Sequence, residues 1–209
     1  MRTVAIALVC LISCCSTAAS QAQGISSLFG FPLPAGFDVA LSGSEATSLY
    51  FYSEPGDSIG QGQELFLSGG NGSFSLSENF DNGPRVVIFG EGNSFSAFFA
   101  APFLDLLTPG LFQNATRFPF QALTDPGLAF SVNARGSSSL TGQFEILEIE
   151  HDASDIPIVL DVIFEQHSEN RVPGLFGRVR VDATTVPEPS SFVFCTSCFV
   201  LMQLRRRRK

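Results

Sequence analysis

The feature that most constrains this fold is a succession of short apolar runs separated by Gly, Pro, Asn and Asp. Between Leu49 and Val181 these turn-forming clusters recur about every 8–12 residues, a spacing typical of antiparallel β proteins. No window between Gly24 and Thr185 sustains the apolar period of a long helix. The pattern predicts an all-β fold, a single antiparallel β-sandwich or jelly-roll-like domain.

Nine strands are predicted from apolar runs and their flanking turns, and Thr108-Pro109-Gly110 is interpreted as a turn between strands. The predicted strands are 48–53, 64–67, 73–77, 85–89, 95–100, 128–132, 140–151, 158–167 and 175–181. The predicted domain organisation is a signal peptide at 1–22, an irregular lead-in at 23–47, the β domain at 48–185 and a tail at 186–209.

The last three predicted strands form a meander with a defined side-chain pattern. The apolar positions of 140–151 change from even to odd numbers, which predicts a β-bulge near Leu147. In 158–167, one face would carry Ile158, Leu160, Val162 and Phe164, and the other Val159, Asp161, Ile163, Glu165 and His167. If the third strand is adjacent, Arg178 and Arg180 would pair with Asp161 and Glu165, and each exposed pair would contribute under about 1 kcal/mol.

The first 22 residues have the layout of a secretory signal peptide. Met1-Arg2-Thr3 is positive, 4–15 is apolar, and 16–22 is small and polar. Cleavage is expected after Ser20 or Ala22 because both are small residues. The run Leu11-Ile12-Ser13-Cys14 supports an alternative, because it resembles a lipoprotein cleavage box.

The C-terminal tail combines a short uncharged run with a block of cations. Residues 190–204 are 15 residues without a charge, which as a helix span about 22 Å against a bilayer core of about 30 Å. The predicted transmembrane helix is therefore short for a permanent anchor. The run is followed by five cations, Arg205, Arg206, Arg207, Arg208 and Lys209. These cations are expected to keep the C-terminus in the cytoplasm, which places everything before the tail outside.

This tail resembles the bacterial PEP-CTERM sorting signal, a domain also labelled ice-binding protein C-terminal. The motif is Val186, Pro187, Glu188 and Pro189, followed by the marginal helix and the basic end. The resemblance implies that a membrane protease of the exosortase type recognises the motif, removes the tail and releases the protein. The expected destination is the cell surface or an extracellular polysaccharide matrix, and an ordinary single-pass tail anchor is the alternative.

A second resemblance covers most of the β domain, from 49 to 181. The segments 53–60, 114–121, 140–142 and 164–167 are similar to a family of uncharacterised secreted bacterial β domains without an assigned activity. Members of that family often carry cysteine at the positions of Ser137 and Ser168. The resemblance therefore implies that these two serines lie side by side.

Cysteine and charge restrict the chemistry of the exported part. All five cysteines lie in the removable ends, at Cys10, Cys14, Cys15, Cys195 and Cys198, so no internal disulfide or thiol chemistry is expected in the β domain. The segment between the leader and the tail contains 19 acidic residues and six arginines, which gives it a formal charge of −13, whereas the whole chain has a net charge of −8. Such a surface repels nucleic acid.

Candidate sites are few. The densest acidic group consists of Glu145, Glu148, Glu150, Asp152, Asp155 and Asp161. Because calcium binds clustered carboxylates, it is the one cofactor to consider. The sequence lacks an EF-hand loop, however, and the interpretation of the group as a solvated face fits better. His151 and His167 are expected to lie near each other in a hairpin, yet a third zinc ligand at fixed spacing is missing. No catalytic residues, and no Tyr- or Trp-rich binding platform, are predicted.

The sequence thus predicts an exported protein of the cell surface or extracellular matrix, structural or adhesive rather than enzymatic. Its expected partners are an exosortase-type protease, the export machinery and extracellular polysaccharide, with nucleic acid excluded by charge. A carbohydrate-binding module and a secreted hydrolase are the alternatives. A hydrolase is less favoured because the nucleophile motif Gly-x-Ser-x-Gly is absent.

Overall fold

The computed structural model describes residues 45–169 and 171–183, which form an all-β domain, so the all-β part of the predicted fold class is confirmed. All nine predicted strands are present, and a tenth lies between them. The strands are β1 (Ser48–Ser53), β2 (Glu64–Ser68), β3 (Gly72–Glu78), β4 (Pro84–Gly90), β5 (Asn93–Ala100), β6 (Gly110–Arg117), β7 (Gly127–Val132), β8 (Leu140–His151), β9 (Pro157–Ser168) and β10 (Gly174–Val181). One short 3-10 turn, Pro102–Leu104, interrupts the β5–β6 connection.

The ten strands belong to one sheet in the order β2-β1-β10-β9-β8-β6-β7-β5-β4-β3. Its two edge strands, β2 and β3, are consecutive in the chain, so the sheet curls until it is nearly closed like a barrel. The side chain of Leu67 on β2 reaches Gly90 on β4, where an added Cβ would lie 2.9 Å from its Cδ1. The expected division into the two packed sheets of a sandwich is therefore replaced by one curled sheet.

Strand β6 is the element that the sequence pattern did not predict. It pairs with β8 in a register that shifts between Phe112 and Ala115, and Asn114 within this shift has a φ of 58°. The irregularity removes the period-2 alternation on which strand prediction depends. β6 also pairs in parallel with β7 through Thr116 and Arg117, the one parallel ladder among the described strands.

The β8–β9–β10 meander confirms the predicted bulge. Ile146 pairs with Val162 and Glu148 pairs with Asp161, so Leu147 between them has no partner in β9. The turn after His151 is built on Asp152, whose carboxylate accepts hydrogen bonds from the backbone N–H groups of Ser154 and Ile156.

The core is rich in phenylalanine, and its rings pack between opposite walls of the curled sheet. The ring of Phe130 on β7 lies 5.0 Å from that of Phe164 on β9, and the ring of Phe99 lies 5.2 Å from that of Phe144. The predicted inward face of β9 is confirmed at Leu160, Val162 and Phe164. Ile158 on the same predicted face is 47% exposed, because it adjoins the turn at the end of the sheet.

A buried side chain compensates for the shortness of the β6–β7 ladder. Beyond Leu128, β7 has no strand partner on its β6 side. The amide of Gln166, which is fully buried, accepts a hydrogen bond from the N–H of Phe130 at 3.0 Å and donates one to its carbonyl at 3.1 Å. The main chain of β7 is thus satisfied without another strand.

Candidate functional site

The sequence-predicted sorting and cleavage positions lie outside the described residues. These are Ser20, Ala22, Val186, Pro187, Glu188, Pro189 and Arg205, Arg206, Arg207, Arg208 and Lys209. Within 45–169 and 171–183, no helix combines the length and the apolar character required to span a membrane.

The acidic group predicted along β8 and β9 does not converge. Asp161 is paired with arginine, Asp152 accepts hydrogen bonds within its turn, and burial raises the pKa of the Glu145 carboxyl. Among the residues that the structure describes, no three His, Cys, Asp or Glu side chains are grouped so that they hold a metal ion.

The expected proximity of His151 and His167 is wrong. His151 at the end of β8 pairs with Pro157, and His167 lies ten residues further along β9. At about 3.3 Å per residue the two imidazoles are separated by roughly 33 Å. The two histidines flank opposite ends of the hairpin, and in an antiparallel pair those ends are far apart.

His167 takes part in a polar cluster at the end of β9. Its Nε2 lies 2.7 Å from Oε1 of Glu165, and its Nδ1 lies 3.0 Å from the carbonyl oxygen of Val172. The hydrogen bond to Glu165 raises the pKa of His167 although burial opposes it. Burial alone would raise the pKa of Glu165, but hydrogen bonds from His167 and Gln143 outweigh it and lower that pKa. Since both partners of the imidazole are acceptors, the charged form is favoured.

The arginines of β10 are buried, which corrects the prediction of weak exposed pairs. Arg178 donates from Nε and Nη2 to the two carboxylate oxygens of Asp161 at 2.9 and 2.7 Å. Nε of Arg180 lies 3.3 Å from the same carboxylate. Asp161 is 3% exposed and Arg180 is fully buried, so the network lies in a medium where charge pairs are much stronger than at a surface. Glu165, the other predicted partner, binds His167 instead.

The described surface has a concentration of exposed apolar side chains where β5 ends and β4 and β7 begin. Three loops meet there, 79–83, 101–109 and 118–126, and we call them the aromatic loop end. Its exposed side chains are Phe80 (73%), Phe103 (60%), Leu104 (47%), Phe120 (71%) and Leu123 (60%). Clustered exposed apolar side chains of this size mark interaction surfaces, since scattered single ones are the norm.

Hydrogen bonds join the three loops to one another. The side-chain amide of Gln121 donates to Asp81 at 2.7 Å, which ties 118–126 to 79–83. The amide of Asn82 donates to the carbonyl of Leu104 at 2.9 Å, which ties 79–83 to 101–109. The third link runs between main chains, from Phe103 N–H to Leu123 C=O at 2.6 Å.

Asn79 anchors the first loop to the sheet. This buried side chain donates to the carbonyl of Phe99 at 2.9 Å and accepts from the N–H groups of Asp81 and Gly83. Gly83 passes so close to β5 that an added Cβ would lie 2.0 Å from the carbonyl oxygen of Phe99, so only glycine fits here. The anchored turn leaves Phe80 projecting toward solvent.

A row of rings supports the exposed phenylalanines. The buried ring of Phe118 lies 5.1 Å from Phe80 and 5.2 Å from Phe98. Two cations contact the row, Arg117 at 4.6 Å from the ring of Phe120 and Arg85 at 5.7 Å from that of Phe98. These cation–π contacts hold two of the six arginines of the domain beside the aromatic loop end.

The loop 101–109 carries backbone strain at its exposed tip. Phe103 and Leu104 have φ values of 62° and 60°, in the left-handed region that non-glycine residues avoid. Each such residue costs of order 1–3 kcal/mol, and this cost is typical of functional positions. Both side chains are exposed, while Leu107 of the same loop is buried in the core.

Sequence reasoning missed the aromatic loop end although its signal was present. Phe80, Phe103 and Phe120 each lie in a segment rich in Pro, Asn, Asp and Gly, where a large apolar residue has no strand to face a core. Comparison of the chain with protein-family models, curated proteins and solved structures finds no match.

Proposed function

We propose that this chain is an exported, non-catalytic protein of the cell surface or extracellular matrix that contacts polysaccharide through its aromatic loop end. The observation that carries the proposal is the rigid cluster of exposed phenylalanines on three mutually bonded loops. The two resemblances and the patterns of both termini support export, removal of the tail by an exosortase-type protease, and release from the inner membrane.

The chemistry of the cluster favours a partner with apolar faces and few negative charges. Aromatic rings stack on the C–H faces of sugar rings and of other flat apolar groups, and they lose little entropy because they have only two rotatable bonds. Loops already held in place reduce the ordering cost of binding. The acidic surface of the domain repels nucleic acid, which leaves polymers of neutral or weakly charged sugars as the preferred class.

Affinity gel electrophoresis tests this proposal. The full-length protein in detergent is run through native gels containing dextran, pullulan or hydroxyethyl cellulose, and at least one of these neutral polymers is expected to retard it. Phe80→Ser with Phe120→Ser should abolish retardation without loss of stability, because both side chains are more than two-thirds exposed.

The matched control is Phe89→Ser, which removes a 58% exposed ring from the outer surface of β4, away from the three loops. It should leave the retardation unchanged. Equal mobility of the wild type in gels with and without each polymer would contradict the proposed binding. Release of new reducing ends from a polymer would instead support the hydrolase alternative.

A further inference from the structure

Strand β3 lies at one edge of the sheet and lacks the features that usually protect an edge. Among the described strands it is hydrogen-bonded to β4 alone. It runs through seven residues without proline, lysine or a bulge, and its one charged side chain, Glu78, lies at its end. An unpaired row of N–H and C=O groups pairs readily with another strand, which is why native edges carry such features. Within the part of the chain that the structure describes, the β3 edge is therefore open to a further strand.

The turn after β3 determines which backbone groups point toward this edge. Asn79 N–H donates to the carbonyl oxygen of Gly83 at 2.8 Å, and hydrogen-bonded pairs alternate with non-hydrogen-bonded pairs along an antiparallel ladder. The odd-numbered residues of β3 therefore exchange hydrogen bonds with β4. The even-numbered residues of β3 direct their N–H and C=O groups away from β4, toward the open edge.

We propose that β3 pairs antiparallel with β3 of a second copy of this chain, about a two-fold axis that passes through Ser75. Because Ser75 is the middle residue of β3, every residue of the strand has a partner in this register. Even-numbered residues lie opposite even-numbered ones, so their outward N–H and C=O groups bond to one another. An axis one residue away leaves one end of each strand unpaired, and an axis between two residues sets outward groups opposite inward ones.

The side chains of β3 are complementary to those of their own copy in this register. On the outer face serines lie opposite serines, and this sheet already contains such a pair in Ser96 of β5 and Ser131 of β7, whose hydroxyl oxygens are 2.7 Å apart. On the inner face Phe74 lies opposite Leu76 of the second copy. Both side chains are half-buried and pack against the core, so the pairing extends the apolar interior from one copy to the other.

The charges of the two copies are kept apart in the same register. Glu78 lies opposite Gly72 of the second copy, so the two Glu78 carboxylates are separated by the length of the strand, roughly 20 Å. That separation exceeds the screening length of about 8 Å at physiological salt. A two-fold interface uses the same surface of both copies, so the assembly ends at a dimer and does not continue into a fibre.

The two aromatic loop ends of such a dimer lie at opposite ends of the paired strands, because loop 79–83 directly follows β3. The dimer would then join two polymer chains rather than bind one chain twice, a consequence that rests on the proposed function. The pairing of the two β3 strands does not depend on that binding.

Disulfide cross-linking of the full-length chain in detergent tests the pairing. The background variant removes the five native thiols through Cys10→Ser, Cys14→Ser, Cys15→Ser, Cys195→Ser and Cys198→Ser. In this background Ser75→Cys should give a covalent dimer on oxidation, because Cα atoms of a non-hydrogen-bonded antiparallel pair lie about 4.5 Å apart, within the span of a disulfide. Non-reducing gel electrophoresis measures the dimer, and peptide mapping identifies the bond.

The matched control is Ser73→Cys in the same background, since Ser73 and Ser75 are both exposed on the outer face. The two copies of residue 73 would lie about 14 Å apart, so this variant should stay monomeric after oxidation. Ser73→Cys combined with Ser77→Cys should restore the covalent dimer, because residue 73 lies opposite residue 77. The proposal is overturned if Ser75→Cys does not cross-link, or if Ser73→Cys alone cross-links to the same extent.

Sedimentation velocity in density-matched detergent measures the unmodified assembly. The wild type is expected to be a dimer, and Ser75→Lys a monomer with unchanged thermal stability, because two cations would lie directly opposite each other at the axis. A monomeric wild type, a dimeric Ser75→Lys variant or a series of larger assemblies would each overturn the proposal. No polysaccharide is present in these measurements, so their failure is distinguishable from failure of the proposed function.

Discussion

Asp161 shows how a single carboxylate organises one face of this molecule. It lies directly opposite Arg180 in the β9–β10 pairing and diagonally opposite Arg178, so one acid meets two guanidinium groups. Burial lowers the pKa of Arg180, and the neighbouring carboxylate of Asp161 acts in the opposite direction. The sequence predicts the residues that meet, because strand alternation places them, but it does not predict their burial.

Replacement of this carboxylate by an amide should be strongly destabilising. Asp161→Asn removes the carboxylate that both buried arginines contact, and we expect a loss of about 3–5 kcal/mol in the free energy of unfolding. Urea denaturation followed by circular dichroism measures it. The control Glu150→Gln removes an exposed acid from β8 and should change stability by less than about 0.5 kcal/mol. An equally small effect of Asp161→Asn would show that the arginines are solvated.

His167 should make stability depend on pH. Glu165 raises the pKa of His167 in the folded state above its usual value of 6.5. The ion pair therefore stabilises the fold fully below pH 6.5, and this stabilisation is lost as the pH rises through the folded-state pKa. The lowered pKa of Glu165 means that the contribution also disappears at low pH, as pH falls through its own folded pKa.

The variant His167→Gln tests this pH dependence. Between pH 6 and pH 8.5 the wild type should lose a few degrees of Tm relative to the variant, as expected for a contribution of about 1 kcal/mol. Differential scanning calorimetry at both pH values measures the difference. Parallel Tm profiles for the two proteins would contradict a titrating His167.

At the scale of elements, the β8–β9 hairpin connects sequence and structure most directly. The resemblance to secreted β domains implied that Ser137 and Ser168 are neighbours. Their hydroxyl oxygens are in fact hydrogen-bonded at 2.6 Å, while Leu140 pairs with Ser168. Strand β6, by contrast, is not predicted by its own residues. Its bulge and its two short ladders are determined by the neighbouring strands, so its sequence lacks a regular strand pattern.

The pair Ser137→Cys and Ser168→Cys should form a disulfide in air. The two positions are 31 residues apart in sequence, so the cross-link should stabilise the protein by about 2–4 kcal/mol. Comparison of chemical denaturation with and without reductant measures this gain, and peptide mapping identifies the bond. Each single cysteine variant serves as control and should show no effect of reductant. Two free thiols after oxidation would indicate a different register in solution.

At the scale of the whole molecule, the two edges of the sheet meet because β2 and β3 follow each other with only a short turn between them. The turn is stabilised by Asn71, whose side chain accepts from the N–H of Ser68 at 2.7 Å. A nearly closed sheet leaves short edges, which protects a domain without cysteines from edge-to-edge aggregation. It also collects three loops at one end, where the proposed binding surface lies.

The proposed export and sorting should be controlled by the termini. In a host with an exosortase, Pro187→Ala with Pro189→Ala should retain the full-length chain in the membrane fraction, because the protease loses its motif. Immunoblots of membrane and medium, with an epitope inside the β domain, measure the distribution. Thr184→Ala with Thr185→Ala is the control and should be released normally. Release of both variants, or of neither, would contradict recognition through the Pro-Glu-Pro motif.

The sequence by itself determined nine strands, the bulge at Leu147 and the partners of Asp161, because alternation, turn residues and local register are encoded within a few neighbouring residues. Only the tertiary structure decided that the strands form one curled sheet, that β6 joins it in parallel to β7, that Arg178 and Arg180 are buried, and that Phe80, Phe103 and Phe120 share one surface. The physical reason is that each of these depends on contacts between residues far apart in the chain, whose geometry no local pattern contains.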